Sequence, residues 1–426
     1  MSVAWEMYFT KHYTTLSLNF DPYFHKPPLL FWIIVIFWKV FGVFRSVALI
    51  PIFIASALLM YLTEKFSEKL LPKENKIREI IPYLMLGSFP FLFYSSLVMF
   101  DILIGVFFIG SLIMFFEYAN SKKIICIFIT GFLIGCGVLT KGPVMYVYTL
   151  LPLIFYPIWR DKKMTSSINF YRFGFESLVV SFTVVLFWLI PALTSRYNHL
   201  NIHSILQQTA GRVEGNFQAA HARPFYFYLY FVPLFFMPWI FFFNFWKNIK
   251  KISFHNSNFK FILFSIIPVF ISFSLISGKQ VHYLLPLLPL LIIGLALLLS
   301  GVKKKFIQVT SIFLVTIIIL SQIIFSQTKY YLNYNLQPLA DFYNKNKTRE
   351  WAFVPDYQGE IGFLGKIDKS FDVFDTPKMS IWFQLHPKGY IIAFFSDLRW
   401  NEYKNYDVVY VQNYRGKKIV VFQKKI

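Results

Sequence analysis

The feature that most constrains this chain is a series of apolar runs, most close to 20 residues long, separated by short polar loops. A helix of about 20 residues rises about 30 Å, the thickness of a bilayer's hydrocarbon core. Ten runs predict membrane spans at 46–64, 80–98, 101–118, 124–141, 142–159, 173–194, 225–245, 259–276, 281–300 and 306–325. Composition agrees, since only 15% of the 426 residues are charged, against about a quarter in soluble proteins. The expected fold class is mainly α, a polytopic transmembrane helix bundle of about ten spans.

One more apolar run, 29–44, carries Lys39, Trp32 and Trp38. It suits a helix lying in the membrane interface, with a short span as the alternative. If it lies in the interface, the loops alternate in charge. Loops 65–79, 119–123, 160–172, 246–260 and 301–305 hold 18 Lys and Arg, and the opposite set holds 9. The positive-inside rule makes the first set cytoplasmic. The net charge of +21 then reads as topology and anionic-lipid contact, not as nucleic-acid binding. Cys126 and Cys136 share one apolar run and offer neither a disulfide framework nor a zinc ribbon.

From about residue 330 the pattern changes. Trp351–Pro355, Gly389–Phe395, Asp407–Gln412 and Lys418–Gln423 read as short strands, and 337–347 as a helix. The expected organisation is an external loop with an interfacial helix at 1–45, a transmembrane bundle at 46–325, and a small soluble α/β domain at 330–426. By parity that domain lies outside, on the periplasmic side.

Charged residues at span ends are functional candidates because a bilayer makes them costly. Asp101 lies at the outer mouth between two predicted spans, where a carboxylate can take a proton from an acceptor group. The alternative is a helix N-cap. Lys141, in the turn Thr140-Lys141-Gly142-Pro143, can hold a phosphate as a point charge, or snorkel to the headgroups. Lys26 precedes two prolines that keep it extended before a helix begins. The loop 195–224 carries Arg212 and Arg223, both suited to bidentate phosphate contacts. It also carries His199, His203 and His221. A divalent metal stays open there, although no spacing specifies one. Where a span restarts, Lys279, His282 and Tyr283 bring polar groups to headgroup level, and an aromatic belt explains Tyr283 equally well.

The run Pro22-Tyr23-Phe24-His25-Lys26-Pro27-Pro28-Leu29-Leu30-Phe31-Trp32 resembles the PYFEKPPLLYW segment of ArnT-like aminoarabinose transferases and their protein-mannosyltransferase relatives. These are GT-C membrane glycosyltransferases. The later order also resembles theirs: Asp101, Leu139-Thr140-Lys141-Gly142-Pro143, Gly211-Arg212, His221-Ala222-Arg223-Pro224-Phe225, Pro238-Trp239, and Lys279 through Pro286. The likeness covers about residues 1–300. It implies transfer of a sugar, with inversion, from a polyprenyl-phosphate donor to a lipid, glycan or protein acceptor at the periplasmic face of a bacterial inner membrane. It further implies that Lys26 and Arg212 contact the donor phosphate, that Lys141 and Tyr283 line the site, and that Asp101 is a functional carboxylate. His221, Arg223, Lys279 and His282 are further candidates.

Two departures stand out. His25 replaces the family's glutamate. The family also has an earlier span ending in an Asp-Glu pair, whereas this sequence begins just past that point. The expectation is an N-terminally truncated chain, and little or no transferase activity if residues 1–426 are all that is made. Two other readings stay open: a transporter or flippase, and a membrane scaffold presenting residues 330–426.

Overall fold

The computed structural model describes residues 1–195, 222–250, 257–395, 403 and 405–425. It divides into two compact units, Phe24–Ile318 and Met1–Tyr23 with Ile319–Ile426. Among the described residues six helices are long and apolar enough to cross a membrane: Arg45–Leu70, Phe100–Ser121, Ser167–Thr194, Ser257–Leu275, Val281–Leu298 and Lys304–Ser326. The predicted span at 124–141 is a shorter apolar helix, Ile125–Lys141.

Three predicted spans are broken rather than continuous, and proline is the cause. The run 80–98 is two helices, Ile81–Leu86 and Phe89–Ser95, each with a proline in its first turn. The run 142–159 is Val144–Ile154, capped by Pro143, then Tyr156–Trp159 with Pro157 in its first turn. The run 225–245 is a chain of four short helices beginning at Phe225–Tyr230 and ending at Phe243–Ile249. Proline lacks the amide hydrogen that continues a helix but suits a helix start, so most of these segments open on one, although Pro152 lies inside its helix and Phe243–Ile249 begins without a proline. The run 29–44 forms Leu29–Phe41, whose 13 residues rise about 20 Å, short of a full crossing. It buries Leu30, Phe31, Ile34, Val35 and Trp38 on one face, the spacing of an amphipathic helix.

Phe100–Ser121 and Ile125–Lys141 form an antiparallel helical hairpin, closed by Lys122 in the left-handed conformation (φ 57°). The hairpin returns Lys141 to the end where Asp101 begins. On its other side Ile125–Lys141 packs against Ser167–Thr194 at close range. A Cβ added at Gly131 would fall 2.4 Å from Val180 Cβ and 2.6 Å from the Ser177 carbonyl oxygen, and one at Gly135 would fall 2.7 Å from Val184 Cβ. Small residues at such a seam let two backbones approach where lipid gives no hydrophobic drive.

The second unit holds a five-stranded sheet. Its spatial order is Asp372–Val373, Trp351–Val354, Tyr390–Phe395, Lys417–Lys424, Tyr406–Tyr414. The first three strands are parallel and the last two pairings antiparallel. Trp351 and Phe353 pack on one face with Leu339, Ala340 and Tyr343 of the helix Gln337–Lys345. Ala352 and Val354 pack on the other with Met379, Trp382 and Phe383 of the helix Met379–Leu385. Side chains that alternate between two covered faces make this the α/β unit expected from the strand spacing.

Residues 1–23 belong to this same unit. Trp5 Nε1 donates to the Ile367 carbonyl at 2.7 Å, and Ser2 Oγ to that of Gly359 at 2.6 Å. Asn19 and Phe20 are both left-handed (φ 60° and 64°), as a tight hairpin turn between Ser17–Leu18 and Asp21–Pro22 requires. Their amides point to the buried Glu6 carboxylate at 2.7 and 2.9 Å, which also accepts from Ser17 Oγ. Burial pushes the Glu6 carboxyl above its ordinary pKa, and these hydrogen bonds oppose the shift. Glu6 is thus the keystone of a loop.

The seam at Gly131 yields a prediction. Gly131→Ala should destabilise the detergent-solubilised protein by about 1–3 kcal/mol, the cost of overpacking, read as a lowered thermal midpoint. Gly294→Ala is the control. No atom lies within 4 Å of its added Cβ, and its midpoint should not fall.

Candidate active site

Asp101 sits in the first turn of Phe100–Ser121, and the cap position belongs to Met99, which makes no side-chain cap bond. The capping alternative therefore fails. The carboxylate is instead buried, with its residue 1% exposed. Its Oδ1 accepts from Lys141 Nζ at 2.5 Å, and its Oδ2 lies 3.8 Å from His282 Nε2. Lys141 is the last residue of its helix. Gly142 follows with φ +85°, a conformation that side chains resist, and Pro143 opens the next helix. The amine is enclosed rather than snorkelling.

Lys141 Nζ also lies 4.3 Å from the centroid of the Tyr283 ring, within cation–π range. The His282 ring makes edge contacts with Tyr283 at 4.9 Å and with Tyr94 at 6.0 Å. Lys26 Nζ lies 5.6 Å from the centroid of the Phe100 ring, next in sequence to Asp101. Phe31 meets the same ring edge-on. The structure thus brings Asp101, Lys141, His282 and Tyr283 into contact and sets Lys26 beside the Asp101 helix start.

Arg223 and Lys279 form a neighbouring bracket. The Arg223 amide donates to the Ser277 carbonyl at 3.1 Å, and Ala222 bridges Gly278. Lys279 Nζ donates to the carbonyls of Arg223, at 2.9 Å, and of Ile276. Lys279 is buried, which pushes its ammonium below the ordinary pKa. Two of its three protons go to backbone carbonyls, so its role here is to tie two segments together. The Arg223 guanidinium lies 5.9 Å from the Phe227 ring. Arg212 and His221, with His199 and His203, fall outside the described residues. Among the described residues no three His, Cys, Asp or Glu side chains gather as a metal set.

Three residues of the cluster did not stand out in the sequence. Tyr94 and Tyr148, whose hydroxyl donates to the Tyr283 carbonyl at 2.5 Å, lie inside apolar runs, where an aromatic reads as core or lipid contact. Phe100 fell in the short link between two predicted spans. The signal available was their position one to five residues from a proline or from Asp101.

Residues 25–188 match the family model described as Dolichyl-phosphate-mannose-protein mannosyltransferase. Across almost its full length the chain superposes on ArnT from Cupriavidus metallidurans. The TM-score is 0.78 for the apo state at 12% identity, and 0.75 for the form bound to undecaprenyl phosphate at 13%. Each comparison covers 99% of this chain and 92% of ArnT. The chain has the fold of ArnT, mostly helical with a small C-terminal sheet. An uncharacterised protein of Aquifex aeolicus (strain VF5) is 27% identical over 311 residues, 71% of this chain. The chain spans 58% of that relative's length. With its long apolar helices, this ArnT-like chain is an integral membrane protein.

The ion pair at the centre of this cluster can be tested directly. Removing one member of a buried pair strands the other charge and costs about 3–5 kcal/mol, whereas removing both is far less harmful. Lys141→Met should therefore lower the thermal midpoint sharply. Asp101→Asn added to Lys141→Met should recover most of the loss.

Proposed function

We propose that this chain transfers a sugar from a polyprenyl-phosphate donor to an acceptor at the periplasmic face of the membrane. The observation that carries this reading is the cluster itself. Lys141 pairs with one carboxylate at the end of its helix and Lys26 lies against the residue next to that carboxylate, in a fold whose relative ArnT has been solved with undecaprenyl phosphate. Lys141 and Asp101 cancel each other's charge. Lys26 and the Arg223 bracket leave the neighbourhood net cationic, which favours a phosphate. Arg212, from the adjoining loop, is the third phosphate contact in this reading.

The chemistry is a displacement. An acceptor hydroxyl or amine attacks the anomeric carbon, the bond from that carbon to the phosphate oxygen breaks, and polyprenyl phosphate departs. Lys26, Arg212 and Lys141 stabilise the charge that develops on the phosphate. The proton from the acceptor passes to the His282–Asp101 couple. His282 is the more open of the two, and the carboxylate behind it steadies a protonated imidazole. Tyr283 lines the site over Lys141. Whether the acceptor is a lipid, a glycan or a protein is set by surfaces beyond these residues.

The test is binding of undecaprenyl phosphate to purified protein, followed by transfer from the sugar-loaded lipid. The expected result is binding by the unmodified chain that weakens at least roughly tenfold in Lys26→Ala and in Arg212→Ala, the scale of one charge-assisted contact. Asp101→Asn should lower transfer more than binding. Absence of lipid-phosphate binding, or binding indifferent to Lys26, defeats the proposal.

A further inference from the structure

The segment that carries His282 and Tyr283 is a 3₁₀ helix, Val281–Leu287, with Pro286 inside it. The Tyr283 amide donates to the Gln280 carbonyl at 3.0 Å, the i to i+3 pattern of that helix. By the same pattern the Tyr283 carbonyl should receive the amide of residue 286. Proline has no amide hydrogen to give. A carbonyl left without a donor in an apolar bundle is costly.

A donor from elsewhere in the bundle reaches that carbonyl. Tyr148, on Val144–Ile154, is fully buried, and its hydroxyl donates to the Tyr283 carbonyl at 2.5 Å. The Tyr148 ring is itself fixed. It packs against Phe108 at 5.6 Å, on the helix that begins with Asp101, and against Phe273 at 5.1 Å. Phe273 in turn meets the Tyr283 ring at 6.1 Å. One hydroxyl thus ties the backbone of the residue that covers Lys141 to the helix Val144–Ile154, and the ring that carries the hydroxyl packs on the helix that holds Asp101.

We infer that Tyr148 is a positioning residue for the lipid-phosphate site: by replacing the hydrogen-bond donor that Pro286 lacks, it holds the 281–287 turn so that Tyr283 lies over Lys141 and His282 faces Asp101. This rests on the site reading proposed above. Tyr148 touches neither the phosphate nor the sugar. Its effect runs through the geometry of Tyr283 and His282.

The experiment compares the unmodified chain, Tyr148→Phe, Pro286→Ala and the double variant. Tyr148→Phe keeps the ring and removes only the hydroxyl. It should leave the protein folded and monodisperse, speed amide hydrogen exchange in peptides covering 281–287, and weaken undecaprenyl phosphate binding by roughly tenfold, the scale of one lost hydrogen bond. Pro286→Ala returns an amide to the position facing the Tyr283 carbonyl. In the Tyr148→Phe background it should therefore restore slow exchange and recover much of the affinity, a rescue that loss of packing alone would not show. Unchanged exchange in Tyr148→Phe, or a folded double variant with no recovery, overturns the inference. If the unmodified chain binds no undecaprenyl phosphate, the proposed function fails, and the exchange comparison still decides whether Tyr148 holds the turn.

Discussion

Two opposite charges removed from water must find each other, and in this chain Asp101 and Lys141 do so across 40 residues of sequence. An isolated ammonium or carboxylate at such depth costs several kcal/mol. Neither helix can therefore slide or rotate without stranding its charge. The pair fixes the register of the hairpin from Phe100 to Lys141. The glycine seam at Gly131 and Gly135 then fixes that hairpin against Ser167–Thr194. Tyr283, His282 and Tyr94 are arranged around a point that the rest of the bundle holds still.

The same pair shapes the chemistry. One oxygen of Asp101 is engaged by Lys141 and the other faces His282. The carboxylate is thus a fixed anion with two cationic or protonatable neighbours rather than a solvent-facing base. Lys141 is likewise held in place rather than free to follow headgroups. An anion arriving near Lys26 meets positive groups whose positions are already set, which is how preorganised charge lowers the cost of holding it.

Much of this was legible in the sequence, and what was not has a physical reason. The apolar runs located the helices and the strand spacing located the α/β unit, because burial in lipid and burial in a sheet impose different periods. The candidate residues at span ends were legible because charge there is costly. The Asp101–Lys141 contact was half legible: two helices joined by a short turn must bring their far ends together, but which side chains meet depends on rotation. The attachment of residues 1–23 to 357–371 was invisible, since it is made by single hydrogen bonds such as Trp5 to Ile367. The broken spans were misjudged because hydropathy averages over a window and does not count amide hydrogens.

Those breaks are where the site is built. A continuous helix satisfies its own backbone and points side chains outward at fixed angles. A proline interrupts that pattern, frees a carbonyl, and lets the chain take a tighter or bent course. Tyr94 lies in a short helix opened by Pro90, Lys141 precedes Pro143, and Tyr283 precedes Pro286. Each brings a side chain to the cluster from a point where regular helix stops. Freed backbone groups in a membrane persist only if something else in the protein satisfies them, as the Tyr148 hydroxyl does for Tyr283. The irregular backbone and the buried polar side chains therefore require one another. The breaks allow the charged and aromatic groups to converge, and the convergence supplies the donors without which the breaks would not be stable.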